Sequence, residues 1–422
     1  MTFAILLFAA TYVVMLALPK YRLHAVLCSA GIFLLTGMLP WQKALGYIDW
    51  NVLMMIAGTM GLVALLIESR MPALLADLIL ERVPNVKWAI IALSLFAGLV
   101  SAFIDNVATV LMVAPIALAI AKKLDLDPVG MIIAIAVSSN LQGAATLVGD
   151  TTSILLGGYA GMSFGDFFVY QGKPGIFFAV ELGALLAASL LLVLFRNETA
   201  RVTAGPRTVV TGYLPSVLML GAVGLLIAAS FIPNKPETTN GMICLGLLAV
   251  GMLHRAASSR SVRAGLAVLK EIDFATIGLL CGLFLVVGGI TEMGVVDAIG
   301  QLLARLGGGS LFAIYTILVW VSVLCSAFID NIPYVATMLP VTQSIAATMG
   351  VDPALLYFGL LSGATLGGNL TPVGASANIT GIGILRKEGY AVKNRDFLRI
   401  GIPFTLAAVI PAYIYFWVFY AA

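Results

Sequence analysis

The six residues Ser-Ala-Phe-Ile-Asp-Asn occur twice, at 101–106 and at 326–331, 225 positions apart. Each copy sets an aspartate and an asparagine inside an apolar run: VSAFIDNVATVLMVAPIALAIA from Val100 and CSAFIDNIPYVATMLPVTQSIA from Cys325. Other pairs keep that spacing. Pro115 answers to Pro340, Asp127-Pro128 to Asp352-Pro353, and GAATLVGDTTSI (143–154) to GNLTPVGASANI (368–379). Upstream the offset is 224, pairing Ile48-Asp49-Trp50 with Ile272-Asp273-Phe274, Gly58 with Gly282 and Glu68 with Glu292. Any one match could be chance; together they imply two similar halves covering nearly the whole chain.

The setting of these halves is a membrane. Only 10% of the 422 residues are charged and 61% are hydrophobic, against about 25% charged in soluble domains. Apolar runs of about 15–20 residues recur, the length at which a helix spans a bilayer. They are continuously apolar, which excludes a β-barrel with its alternating strands. The expected fold class is an all-α polytopic membrane protein, multi-pass in the plasma (inner) membrane. No Lys or Arg precedes the first run, so residues 3–18 read as a first span, not a cleaved signal. The four cysteines form no CxxC pair, so no disulfide framework or metal site is expected. His24 and His254 stand beside basic residues at segment ends and read as membrane-surface residues. No GxxxxGK[ST] loop marks an ATPase. Neither a cofactor nor a nucleic-acid partner is expected.

Charge orients the halves, because Lys and Arg gather on the cytoplasmic side. Let each long apolar run cross the membrane, and let each segment around Ile-Asp-Asn enter and leave on one side as a hairpin. Of the 23 basic residues, only Lys43, Lys173, Lys235 and Arg305 then fall outside. The bias flips between equivalent loops. Lys122-Lys123 follows the first hairpin, whereas the counterpart near 345–352 has no base; 161–173 holds one lysine and 386–399 holds five basic residues. Equivalent loops therefore face opposite sides, and the repeat is inverted. Inverted repeats build secondary transporters, with the binding site near the midplane where the halves meet.

The expected layout follows. Residues 1–47 form N-terminal scaffold spans; 48–195 form repeat 1, with a hairpin near 88–121 and a broken helix near 129–162. A cytoplasmic linker, 196–213, leads to scaffold spans over 214–271. Repeat 2 is 272–422, with a hairpin near 310–345 and a broken helix near 354–385. The amphipathic stretches at 71–83 and 295–306 read as interfacial arms.

The polar motifs sit at membrane depth. Pro333 beside the second Asp-Asn disfavours helix at Ile332 and points to a break at the hairpin tip. SSNLQGAATLVGDTTS (138–153) and GATLGGNLTPVGASAN (363–378) are rich in Gly, Ser and Thr, with Pro372 at the second break. Broken backbone in a bilayer survives only where protein or a watery cavity satisfies it. Asp105, Asp150 and Asp330 are acids with no Lys or Arg in either motif pair. Such acids are costly and usually functional, and without a basic partner they suit a proton or a sodium ion. Two plainer roles stand beside this one. Asp105 and Asp330 can cap a half-helix, and the small residues can serve close helix packing. Glu181, alone in FFAVELGALL, reads either as a proton relay or as a partner for a neighbouring helix.

FIDNVATVLMVAPI, GAATLVGDTTSIL and GNLTPVGASANITGIGILRKEGY resemble the ion transporter superfamily, specifically the branch of arsenical pumps (ArsB), sodium/proton antiporters (NhaD) and P-protein relatives. The resemblance spans both halves. It implies a scaffold plus a transport domain with two re-entrant hairpins and two broken helices, elevator-type movement, and a homodimer. An arsenical pump would also admit a cytoplasmic ATPase subunit. Carried onto this chain, the resemblance places the tips at Asp105-Asn106 and Asp330-Asn331. It places the breaks at Thr146, Gly149, Asp150 and Thr151, and at Thr371, Gly374, Ser376 and Asn378. Dicarboxylate carriers of the superfamily show Ser-Asn-Thr at the tips; here they read Asp-Asn-Val and Asp-Asn-Ile, which argues against di- and tricarboxylates.

The function expected is secondary active transport of a small inorganic solute, with arsenite or antimonite efflux driven by protons or sodium as the leading case. Arsenite is neutral and rich in hydroxyls at ordinary pH, so Asp, Asn, Ser and Thr can bind it without a counter-charge. A sodium/proton antiporter and a cation-coupled carboxylate or chloride carrier are the alternatives. An intramembrane aspartyl protease would need GxGD, whereas Leu147-Val148-Gly149 precedes Asp150. A passive channel does not need hairpins aimed at a closed centre.

Overall fold

The computed structural model describes residues 1–202 and 207–421. Residues 203–206, inside the expected linker, lie outside the described residues. The described chain is nearly all helical, as the continuous apolar runs require. Its first half runs α1 (Thr2–Ala17), α2 (Arg22–Leu35), α3 (Trp41–Tyr47), α4 (Trp50–Glu68) and α5 (Met71–Leu80). Then come α6 (Val86–Ser101), α7 (Asn106–Lys123), α8 (Val129–Gln142) and α9 (Thr151–Tyr159). A two-stranded ribbon, β1 (Val169–Tyr170) against β2 (Lys173–Pro174), leads into α10 (Ile176–Leu194).

The second half begins with α11 (Leu214–Ser230), α12 (Thr239–Ser259), α13 (Val262–Leu266), α14 (Phe274–Glu292) and α15 (Val295–Leu306). It ends with α16 (Leu311–Ser326), α17 (Asn331–Met349), α18 (Ala354–Gly367), α19 (Ser376–Lys387) and α20 (Asn394–Tyr420). Element boundaries recur at the spacing of the sequence motifs. Helix α14 copies α4 at an offset of 224, and α16, α17, α18 and α19 start 225 residues after α6, α7, α8 and α9.

The same local chemistry starts the paired helices. Asp49 caps α4 by accepting from the Val52 amide at 2.9 Å, and Asp273 caps α14 by accepting from Ala275 and Thr276, each at 3.0 Å. Among the described residues six helices, α4, α7, α10, α12, α14 and α20, are long and apolar enough to cross a membrane. Helices α1 and α11 are shorter, at 16 and 17 residues. Helix α15 turns into α16 through 116°.

Without a hydrophobic drive between helices in lipid, close packing depends on small residues. Gly58 of α4 lies against α12 so closely that a Cβ would come within 2.6 Å of the Cys244 backbone carbon. Its counterpart Gly282 packs α14 on Val26 of α2. These helices form one body with α1 and α11. A second body contains α6–α10 and α16–α20, where Gly183 of α10 meets Ala408 of α20 and Gly363 of α18 meets Val319 of α16. Gly58→Ala is expected to cost about 1–3 kcal/mol by overpacking. Its thermal midpoint in detergent should fall by several degrees, while Gly246→Ala on α12, with nothing within 4 Å, leaves it unchanged.

Candidate functional site

Each hairpin turns over a few residues between its arms, and an aspartate restarts the chain as a helix. Asp105 Oδ1 accepts from the amides of Val107 at 3.0 Å and Ala108 at 3.2 Å. Asp330 Oδ1 accepts from the Ile332 amide at 3.3 Å. The capping role is thus real, and it occupies one oxygen of each carboxylate. Pro333 lies inside the first turn of α17, where a missing N–H costs nothing. It does not make the break, which comes before Asp330.

The two breaks are clasped to the two tips by matched bonds. Thr146 Oγ1 donates to the Ala102 carbonyl, and Thr371 Oγ1 donates to the Ala327 carbonyl. Ser153 Oγ reaches the Gly143 carbonyl at 3.2 Å, and Asn378 Nδ2 reaches the Gly368 carbonyl at 3.1 Å, 225 residues on. Gly149 and Gly374 let the loops touch the tips. A Cβ on Gly149 would stand 2.8 Å from the Ala102 carbonyl oxygen, and one on Gly374 2.7 Å from that of Ser326. These five residues, Thr146, Gly149, Thr371, Gly374 and Asn378, were expected at the site itself. None of them lines the cavity between the tips: the threonine hydroxyls and Asn378 Nδ2 are bonded to backbone carbonyls, and the two glycines serve close approach.

A buried amide network joins the halves. Asn106 Nδ2 donates to Asn140 Oδ1 at 3.0 Å, and Asn140 Nδ2 donates to the Thr365 carbonyl at 2.7 Å and to Asn369 Oδ1 at 3.1 Å. Asn369 in turn donates to the Val137 carbonyl at 2.8 Å. Asn140 and Thr365 were missed by sequence reasoning, although both stand in the quoted Gly-Ser-Thr motifs.

The tips and breaks meet at a cavity of about 830 Å³. Asp105, Asn106, Asp150, Thr151, Asp330, Asn331 and Ser376 all line it. Its walls also carry Arg22, Glu68, Arg255, Glu271 and Asp273. Arg22 and Arg255 are both among the bases that the charge pattern assigns to the cytoplasmic side. Asp150 is buried and caps α9, with Oδ1 accepting from the Thr151 amide and Oδ2 from the Thr152 hydroxyl, each at 2.8 Å. Beside it a crevice of about 10 Å³, lined by Thr59, Asp105, Asp150 and Thr151, has room for one water-sized particle.

One expectation fails here. Asp330 was read as an acid without a basic partner. Arg22, the first residue of α2, places Nη1 2.9 Å from Asp330 Oδ2. The contact joins residues 308 apart, and local sequence marks Arg22 only as a basic span end. Tyr12 of α1 was missed for the same reason; its hydroxyl donates to the Pro333 carbonyl at 2.8 Å. Glu181 accepts from Gln142 Nε2 at 3.1 Å and stands off the cavity wall.

Thr371→Val leaves the Ala327 carbonyl without its donor, a loss of about 1–3 kcal/mol. Amide exchange over residues 327–332 is expected to speed up about tenfold, with α10 unaffected. Unchanged exchange there would show that the clasp does not hold the tip.

The geometry agrees with what the chain is similar to. The sequence profile of the citrate transporter (CitMHS) family matches residues 6–363 and 245–422. An uncharacterized transporter of Mycobacterium tuberculosis is 32% identical over 380 residues, 88% of this chain and 87% of the relative. A 46 kDa membrane protein of Mycobacterium leprae is 33% identical over the same length and shares of each chain. The P protein of Homo sapiens is 26% identical over 448 residues, 85% of this chain and 52% of that protein. Among solved structures, the YdaH transporter of Alcanivorax borkumensis shares the fold, with a TM-score of 0.60 at 13% identity, covering 89% of this chain and 86% of that one. The chain is a multi-pass membrane protein that belongs to the citrate transporter (CitMHS) family of the ion transporter superfamily.

Proposed function

We propose that this transporter is a cation-coupled secondary carrier that binds a proton or sodium ion between Asp105 and Asp150 and moves a small oxygen-rich solute through the cavity beside them. The observation that carries the reading is the pairing of two carboxylates, with no lysine or arginine on either among the described residues. Two such charges in a dehydrated crevice need a cation or a proton. Thr59 and Thr151 at the same crevice supply hydroxyl oxygens of the kind hard cations take. The motions implied are those of an elevator-type homodimer.

The cavity wall sets six carboxylates, on Glu68, Asp105, Asp150, Glu271, Asp273 and Asp330, against Arg22 and Arg255. That balance suits a neutral or cation-accompanied cargo. Arsenite or antimonite, expelled against a cation gradient, is the leading case, because hydroxyls on the solute can bond to Asn106, Asn331 and Ser376 without adding charge. A second reading is favoured by the two arginines and by the family's description: a citrate-like carboxylate that enters with cations. Exchange of sodium for protons with no other solute is the third.

Proteoliposomes with imposed proton or sodium gradients distinguish these. Arsenite, citrate, succinate, chloride and sodium fluxes would be compared. The leading reading expects arsenite flux driven by one cation gradient. It also expects Asp105→Asn and Asp150→Asn to lose at least about 100-fold, the equivalent of about 2.7 kcal/mol. Citrate flux without arsenite flux would move the cargo to the second reading. Solute flux indifferent to both gradients and both substitutions would remove the coupling site.

A further inference from the structure

We propose that Arg22 is a tethered cation, filling in the second half the place that a mobile cation fills in the first, so that one coupling cation binds per chain rather than two. The inference rests on the carrier reading above.

The halves match down to single bonds at the clasps, so the electrostatic difference between their tips is informative. In the first half Asp105 at the tip faces Asp150 at the break across a crevice the size of one water. In the second half the position of Asp150 is taken by Ala375, and Asp330 alone remains. Asp330 is met by the Arg22 guanidinium at 2.9 Å. One half thus keeps two uncompensated carboxylates, and the other is neutral as built. Arginine stays charged at any working pH. It neutralises Asp330 without drawing a proton or sodium ion from solution.

The position of Arg22 within its own helix supports the assignment. It opens α2, where the positive end of the helix dipole disfavours a cation. Asp330 supplies the partner that favours a base at this helix start. The bond also crosses from α2, packed on α14, to the tip of the second hairpin, and both members line the cavity. The other charges facing the pair across the cavity are Asp105, Asp150, Glu68, Glu271, Asp273 and Arg255. A plain half-exposed ion pair would contribute little and leave the cation count alone.

The test counts cations on the purified full-length chain. Radioactive sodium binding at fixed pH and proton uptake followed with an indicator dye are the two arms; they tell which cation binds. Wild type is expected to bind about one cation per chain at saturation, with a Hill coefficient of about 1. In Arg22→Gln, Asp330 becomes a second site. The saturating count should rise to about two cations per chain, the second half-saturating at about tenfold higher concentration. Arg22→Gln combined with Asp330→Asn should return it to about 1, and Arg22→Lys should hold it there. Two sites in wild type would overturn the proposal, as would an unchanged count and half-saturation in Arg22→Gln. Should Arg22→Gln fail to fold, the charge-balanced double variant decides, and a count other than one overturns it. Because binding is read without any cargo, absence of solute flux would sink the carrier reading and leave this count intact.

Discussion

A backbone that leaves helical form inside a bilayer must find its hydrogen-bond partners within the protein, and the rest of this structure depends on how that demand is met. The chain interrupts two helices and turns two hairpins beside one cavity. It then uses each interruption to satisfy the other. Threonine hydroxyls at the breaks take up tip carbonyls, and glycines let the strands of loop approach closely enough for this. Small and hydroxylated residues in an apolar chain are therefore a structural requirement here before they are a functional one. Only the groups left over, chiefly carboxylate oxygens and the hydroxyl or amide groups at helix starts, are free for a solute.

That division explains what was legible in the sequence. Helix class and the positions of tips and breaks followed from period, composition and duplicated motifs, because these are local properties of the chain. So did the gathering of Asp105, Asp150 and Asp330, since acids at membrane depth have few places to go. The sorting of motif residues into wall and framework was not legible. Thr146 and Thr151 look alike as letters, and their roles differ only in which carbonyl lies opposite. Arg22 and Tyr12 escaped because their partners lie more than 300 residues away. Each also stands in a stretch where a plainer role, as membrane-surface base or lipid-facing aromatic, suffices.

Internal duplication also makes departures from likeness easy to see. Where both halves keep a residue type, the shared need is architectural, as at the paired clasps. Where they differ and the matching bond is not kept, the difference cannot be charged to the fold. Asp150 against Ala375 is such a place, and so is the arrival of an arginine at one tip only.

The asparagine network has a mechanical consequence. Asn140 binds Asn106 in its own half and both Thr365 and Asn369 in the other, and Asn369 returns the bond to Val137. The two interruptions are stitched back to back by buried amides. Displacing one break therefore strains its bonds to the other. On the carrier reading proposed above, both tips would then have to move in one stroke, since neither half is at liberty to travel first.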